Sequence, residues 1–257
     1  MQKYLTANYH AHTTRCQHAV GTERQYIEAA IAMGIREFGF SDHVPCPFAD
    51  GYVSPIRMTM EQAPEYVRTI RSLAREYQRD IRIYVGFEAE YIPEFYREQK
   101  KLFQSLNADY VILGQHFFGR EDKSPGTSAA TEDESRIRAY VDLIIEGMHT
   151  GTYCYLAHPD IINYQGLDSV YEWEMTRLCR AMKEMGVPLE INLQGIRANR
   201  HYPSERFFQI AGEVGNQVIL GIDAHCVEQM QDIASYEKGI RLAEKYHLNL
   251  INRLNLD

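Results

Sequence analysis

From end to end, the 257-residue chain alternates short β-rich runs with longer amphipathic stretches. Candidate strands are Tyr4–Tyr9, Glu37–Ser41, Ile81–Phe87, Tyr110–Leu113, Tyr153–Ala157, Pro188–Leu193 and Gln217–Ile222. Helices are expected over Glu61–Arg79, Glu94–Ser105, Ser169–Met185, Ser204–Glu213 and Ala234–His247. Thr22 with Gln25, and Thr131 with Glu134, have capping-box spacing. Gly34 and Gly186 stand where a left-handed C-terminal cap is wanted. Such alternation calls for a mostly parallel sheet with helices outside. No composition break divides it, so one α/β domain over residues 1–257 is expected. A closed barrel and an open doubly wound sheet both satisfy the pattern. Two irregular stretches, Val44–Thr59 and Gly119–Thr131, read as long loops on the functional rim.

Histidine placement narrows the choice. Six of the ten histidines sit at or just beyond an expected strand end: His10, His12, His43, His116, His158 and His225. His18 follows in the loop after the first strand, while Glu88 and Asp223 close two further strands. In a parallel barrel the carboxyl ends of all strands meet at one mouth. Residues two apart on an extended segment point the same way, so His10 faces with His12 and Asp223 with His225. Unliganded imidazoles crowded together would desolvate badly and repel on protonation, and metal ions make such a cluster tolerable. One zinc takes about four ligands, so this donor set suits two or three divalent ions. Imidazole with carboxylate fits zinc, manganese or iron. Glu90 shares the face of Glu88, and periodicity does not separate the two. His149, His201 and His247 default to surface positions.

Composition removes several classes. With 45% hydrophobic and 24% charged residues the chain is not disordered. No apolar run approaches the ~20 residues of a membrane span. The net charge of −8 argues against a broad nucleic-acid footprint, though bound metals would reverse the local field. The five cysteines are odd in number and include no CxxC pair, and the start MQKYLTANYHAH lacks the apolar region of a signal peptide. Free thiols in a reducing cytoplasm are therefore expected. Cys16, Cys46 and Cys226 adjoin the histidine motifs, either as small packed residues or as a soft extra ligand.

The motifs HAHTTRCQH, FSDHVP, GFEAEYI, LGQHFFG, LAHPD, LEINLQG and GIDAHC resemble, over nearly the whole chain, the PHP superfamily (polymerase and histidinol phosphatase). The Cys-x-His ending of the first motif, the D-H-x-P, and the G-x-E-x-x-Y-I followed by Q-H-F-x-G are most similar to the histidinol-phosphate phosphatases. The resemblance implies a distorted (β/α)7 barrel with a trinuclear metal centre. It also implies hydrolysis of L-histidinol phosphate to L-histidinol and phosphate, in histidine biosynthesis. By that resemblance His10, His12, Glu88 and Asp223 hold the first metal. Glu88 bridges to a second, completed by His116 and His158. His18, His43 and His225 hold the third. The motif alignment selects Glu88 over Glu90.

The expected chemistry is in-line attack on phosphorus by a hydroxide bridging two metals. Arg197 is the first candidate for a catalytic cation, with Arg200 and Arg15 behind it, and Asn192 is expected to point into the mouth. Asp223, a histidine or a metal-bound water would serve as general acid. Glu90, Phe117 and Asp160 are candidates for the substrate's amine and imidazole. The partner is thus a small phosphate ester, with no membrane, and nucleic acid is disfavoured because duplex binding needs phosphate neutralisation. The alternatives are a phosphoesterase for nucleotides, nucleic acid or another small ester, and a non-enzymatic metal-binding domain. The last fits poorly, since structural zinc shells are commonly closed and Cys-rich.

Overall fold

The computed structural model describes residues 4–256, so residues 1–3 and 257 of the expected domain lie outside the description. The first half runs β1 (Ala7–Asn8), α1 (Glu23–Ala32), β2 (Glu37–His43), α2 (Ala63–Glu76), β3 (Arg82–Ala89), α3 (Pro93–Ser105) and β4 (Tyr110–Leu113). The second runs α4 (Glu134–His149), α5 (Asp168–Met185), β5 (Leu189–Asn192), α6 (Leu193–Arg197), α7 (Glu205–Val214), β6 (Gln217–Gly221), α8 (Ile233–Lys245) and β7 (Asn249–Leu250).

All ladder pairs are parallel, in the orders β1-β2-β3-β4 and β5-β6-β7. Single bridges join the two pieces. Leu156 pairs with Leu113 on one side and Leu189 on the other, and Ala11 pairs with Ala224. The ring therefore closes, as the barrel expectation requires. The stretch Tyr153–Ala157, expected as a strand, contributes only the bridging residue Leu156. Between β1 and β6 the buried Asn8 side chain accepts the Ile222 N–H, and His12 N–H donates to Ala224 O. The unforeseen β7 pairs with the start of β6.

Strand periodicity sorts the core into two. Phe38, Phe40, Val85, Phe87, Val111, Leu113, Ile191, Val218 and Leu220 face outward into one large cluster with the helices. The alternate residues Tyr9, Tyr84, Tyr110, Ile112, Tyr155 and Ile219 fill a smaller interior cluster. Glycine makes room in that interior. A Cβ on Gly39 would lie 2.2 Å from the Tyr110 hydroxyl, whose proton goes to Tyr9 O.

Local signals explain most boundaries. Thr22 and Gln25 form the reciprocal capping box that starts α1. The start of α4 differs from expectation. Asp133, adjacent to the first helical residue, takes the cap by accepting from Ser135 N, while the Thr131 hydroxyl turns to accept from Asp133 N. Gly186 ends α5 in the left-handed conformation at φ 68°. Both expected rim loops lack helices and strands, with Phe117–Gly126 as an isolated bridge beside the second. Among the described residues no helix is long and apolar enough to cross a membrane, and all five cysteines are unpaired.

Candidate metal centre

The parallel register sets His43 beside Glu88. Because neighbours in register point to the same side of a sheet, both side chains enter the barrel mouth together. Glu88 stands at the middle of the imidazoles. Its Oε2 is 3.1 Å from His43 Nδ1, and 3.5 Å from both His10 Nε2 and His12 Nε2. Its Oε1 is 2.8 Å from His158 Nε2 and 3.5 Å from His116 Nε2. Asp223 Oδ1 lies 3.2 Å from His12 Nε2 and 3.5 Å from His10 Nε2. His18 and His225 stack at 4.8 Å between ring centroids, and His225 lies 4.1 Å from His12. All nine expected ligands thus converge. Three imidazoles, His18, His43 and His225, form one compact triad. His10, His12 and Glu88 form another. Glu88 and His116 group with His43, and His158 with His10 and Asp223, so the second set is drawn differently from the expectation.

The donors fit metal ions. His10 Nε2, His12 Nε2, His43 Nδ1 and Asp223 Oδ1 are buried without a hydrogen-bond partner. Two ligand atoms ~2.1 Å from a tetrahedral ion stand about 3.4 Å apart. The 3.5 Å and 3.2 Å separations around Glu88 and Asp223 match that edge better than a hydrogen bond. Backbone strain falls on two of the same residues, with φ 29° at His158 and 51° at Asp223.

Beneath the ligands lies a layer of acceptors, of which sequence periodicity points only to Glu90. Glu190 accepts from His10 Nδ1 at 2.8 Å, from His158 N at 3.0 Å and from Asn192 Nδ2 at 2.9 Å. Glu90 faces His116 Nδ1 at 3.1 Å, while Asp42 stands 3.5 Å from His12 Nδ1, which has no hydrogen-bond partner. His18 Nδ1 donates to Cys16 O at 2.6 Å. An acceptor at Nδ1 fixes the tautomer and frees Nε2 for a metal. Asn192 caps α6 through its Oδ1 and gives its amide to Asp223 Oδ2 at 3.1 Å. A Cβ on Gly114 would fall 2.0 Å from the Glu88 carboxylate, and one on Gly221 1.8 Å from that of Glu190.

Charge is balanced within the cluster. Burial opposes charging of His10, yet Glu190, Asp223 and Glu88 raise its pKa well above the ordinary value. Burial likewise opposes His12, but Asp223 and Asp42 lift it to about 9. Burial and the neighbouring His12 lower His225 to about 3, and burial lowers His18 and His43. Against burial, the surrounding imidazoles hold Glu88 and Asp223 well below the carboxylate range.

The cluster floors a cavity of about 580 Å³ whose wall includes Ile56, Phe117, Ser128, Ile161, Gln194, Arg200 and Tyr202. Arg197 is not in that wall. It sits at the end of α6, and its Nε pairs with Asp232 at 2.8 Å. Arg15 is held by Glu23 and Glu65. Of the expected amine and imidazole contacts only Phe117 lines the cavity. Glu90 is committed to Arg57 and His116, and Asp160 accepts from Ser204 N at 2.6 Å. Cys46 packs with Ile92 and Phe95, Cys226 reaches the cavity wall, and the Cys16 thiol stands within 4.8 Å of His12 and His225 nitrogens. His149, His201 and His247 are exposed.

Residues 8–194 match the PHP domain. The chain belongs to the PHP family. This PHP chain is 29% identical over 225 residues to a probable histidinol-phosphatase of Deinococcus radiodurans, covering 84% of the chain and 85% of the relative. It is 27% identical over 248 residues to a histidinol-phosphatase of Bacillus subtilis, covering 84% and 92%. Its fold is that of histidinol phosphate phosphatase from Lactococcus lactis, a structure complexed with zinc, L-histidinol and phosphate. That superposition has a TM-score of 0.75 at 20% identity, over 97% of this chain and 98% of the other.

Proposed function

We propose that this PHP chain is a metal-dependent phosphomonoesterase that hydrolyses L-histidinol phosphate to L-histidinol and phosphate, a step of histidine biosynthesis. The observation that carries the reading is the convergence of seven imidazoles with Glu88 and Asp223, of which six imidazoles and both carboxylates line one cavity and His10 lies buried beneath. The relatives named histidinol-phosphatase support the substrate. His10, His12, Glu88 and Asp223 would hold one ion, Glu88, His116 and His158 a second, and His18, His43 and His225 a third. Zinc, manganese or iron in these positions acidifies water and neutralises phosphoryl charge.

The chain's own groups do the rest. Asp223 is kept ionised and its Oδ2 is held by the Asn192 amide, which leaves Oδ1 aimed at the ion site beside His10 and His12. Arg200, the one arginine of the cavity wall among the described residues, takes the phosphate-facing role first expected of Arg197. Arg197, through Asp232, instead ties α6 to the start of α8. Phe117, Ile56, Ile161 and Tyr202 offer an apolar wall against which an imidazole can lie. With five unpaired cysteines, the reducing cytoplasm is the compartment the reading assigns.

The test is turnover of L-histidinol phosphate against a panel of phosphate esters, nucleotides and oligonucleotides, with metal content measured on the same sample. Preferred release of phosphate from L-histidinol phosphate is expected. Metal-loaded protein that ignores it while cleaving oligonucleotides would replace this reading with a nuclease.

A further inference from the structure

Arg57 lies in an irregular rim loop yet is only 1% exposed. A guanidinium so buried must be paired. Its Nη1 and Nη2 donate to the two oxygens of Glu90 at 3.0 and 3.2 Å. Its Nε donates to Glu121 at 2.7 Å, and Nη1 also reaches Val44 O at 3.1 Å. Glu90 is itself 1% exposed, and its Oε1 faces His116 Nδ1 at 3.1 Å. The remaining nitrogen of that ring, Nε2, points to Glu88. Two rim loops therefore meet on one buried cation, and the chain of contacts ends on a proposed metal ligand.

We infer that Arg57 is a positioning residue for the metal centre: by clamping Glu90 it fixes His116 as the Nδ1–H tautomer and aims Nε2 at the ion shared with Glu88. The inference rests on the metal-centre reading above and adds a residue outside the ligand shell. Physically, a Glu90 carboxylate without its clamp could rotate, and that rotation would release the ring. The forked guanidinium holds both oxygens at once, which an ammonium does not. A partner of this kind typically changes metal affinity 10- to 100-fold.

The experiment strips the protein with a chelator and titrates it with zinc chloride against a chromophoric competitor. Wild-type, Glu90→Gln and the double variant Arg57→Met/Glu90→Met are compared. Because Arg57 also pairs with the Glu121 side chain, the double variant is made on a Glu121→Gln background. Replacing a whole buried ion network by neutral groups of similar size is often neutral for folding, which separates folding from positioning. Expected is an unchanged melting temperature for the double variant, with one zinc ion weakened about 10- to 100-fold and the others retained. A folded double variant that takes up its full zinc complement with wild-type affinity would overturn the inference. Long-range 1H–15N spectra of the wild-type protein supply a readout that needs no variant. His116 should appear as the Nδ1–H tautomer, and the Nε2–H form would equally overturn the inference. Failure of the wild-type protein to bind zinc at all would instead count against the metal-centre reading itself.

Discussion

Glu190 shows how a single buried carboxylate can set the behaviour of ligands it does not replace. It receives His10 Nδ1, the backbone of His158 and the amide of Asn192, all from 0% exposed surroundings or nearly so. Glu190→Ala should weaken the His10 site about 10- to 100-fold while leaving the His18, His43 and His225 triad intact. Zinc titration of the stripped variant checks this, and uniform loss at every site would contradict it. Protonation gives a second expectation. In the metal-free protein His10 lies well above its ordinary pKa and His12 near 9. Both must lose protons before they can bind, so zinc affinity should climb as pH rises from 6 towards 9. Competition titrations at three pH values would reveal a flat profile if those protons were absent. The ligands themselves were readable because histidines at strand ends are conspicuous. Glu190, Asp42 and Arg57 were not, since a carboxylate on an alternating strand or an arginine in a loop carries no sign of its partner.

At the level of elements, capping decides where helices begin and, at α6, what the site looks like. Thr22→Ala removes the exposed box of α1 and should cost ~1 kcal/mol of stability, with zinc affinity unchanged. Asn192→Ala removes a similar cap from α6 but also the amide that holds Asp223. It should lose both stability and phosphate-ester turnover, as paired melting and activity measurements would show. Equal turnover in the two variants would mean that Asp223 does not depend on Asn192. The same comparison explains what the sequence pattern could and could not convey. Strands β2, β3, β4, β5 and β6 fall where β-rich runs stand. Leu193–Arg197 was read as strand end and loop because a single capped turn has too few residues to show a helical period. Asn249–Leu250 escaped for the same reason, and Tyr153–Ala157 pairs too briefly to count as a strand.

Across the whole molecule, the ring of strands and the ligand cluster are one construction. Ala11 and Ala224 close the barrel, and each is flanked by proposed ligands: His10 and His12 on one side, Asp223 and His225 on the other. Metal that joins these residues therefore also pins the seam between the first and last strands of the mouth. Ions that bind the folded chain and not the unfolded one stabilise it by about 2.7 kcal/mol at a hundredfold excess over Kd. For a chain of this size each kcal/mol moves the melting temperature by ~2–4 °C. Chelation should accordingly lower the melting temperature by roughly 5–10 °C, and stoichiometric zinc should restore it. His10→Ala, which removes a ligand beside the seam, should blunt the shift, whereas Thr22→Ala should keep it in full. Hydrogen exchange would locate the effect: protection should fall first at His12 N–H, Ala224 N–H and Ile222 N–H, donors that cross the seam. If chelation left both the melting temperature and that protection untouched, the cluster would not be holding the barrel closed.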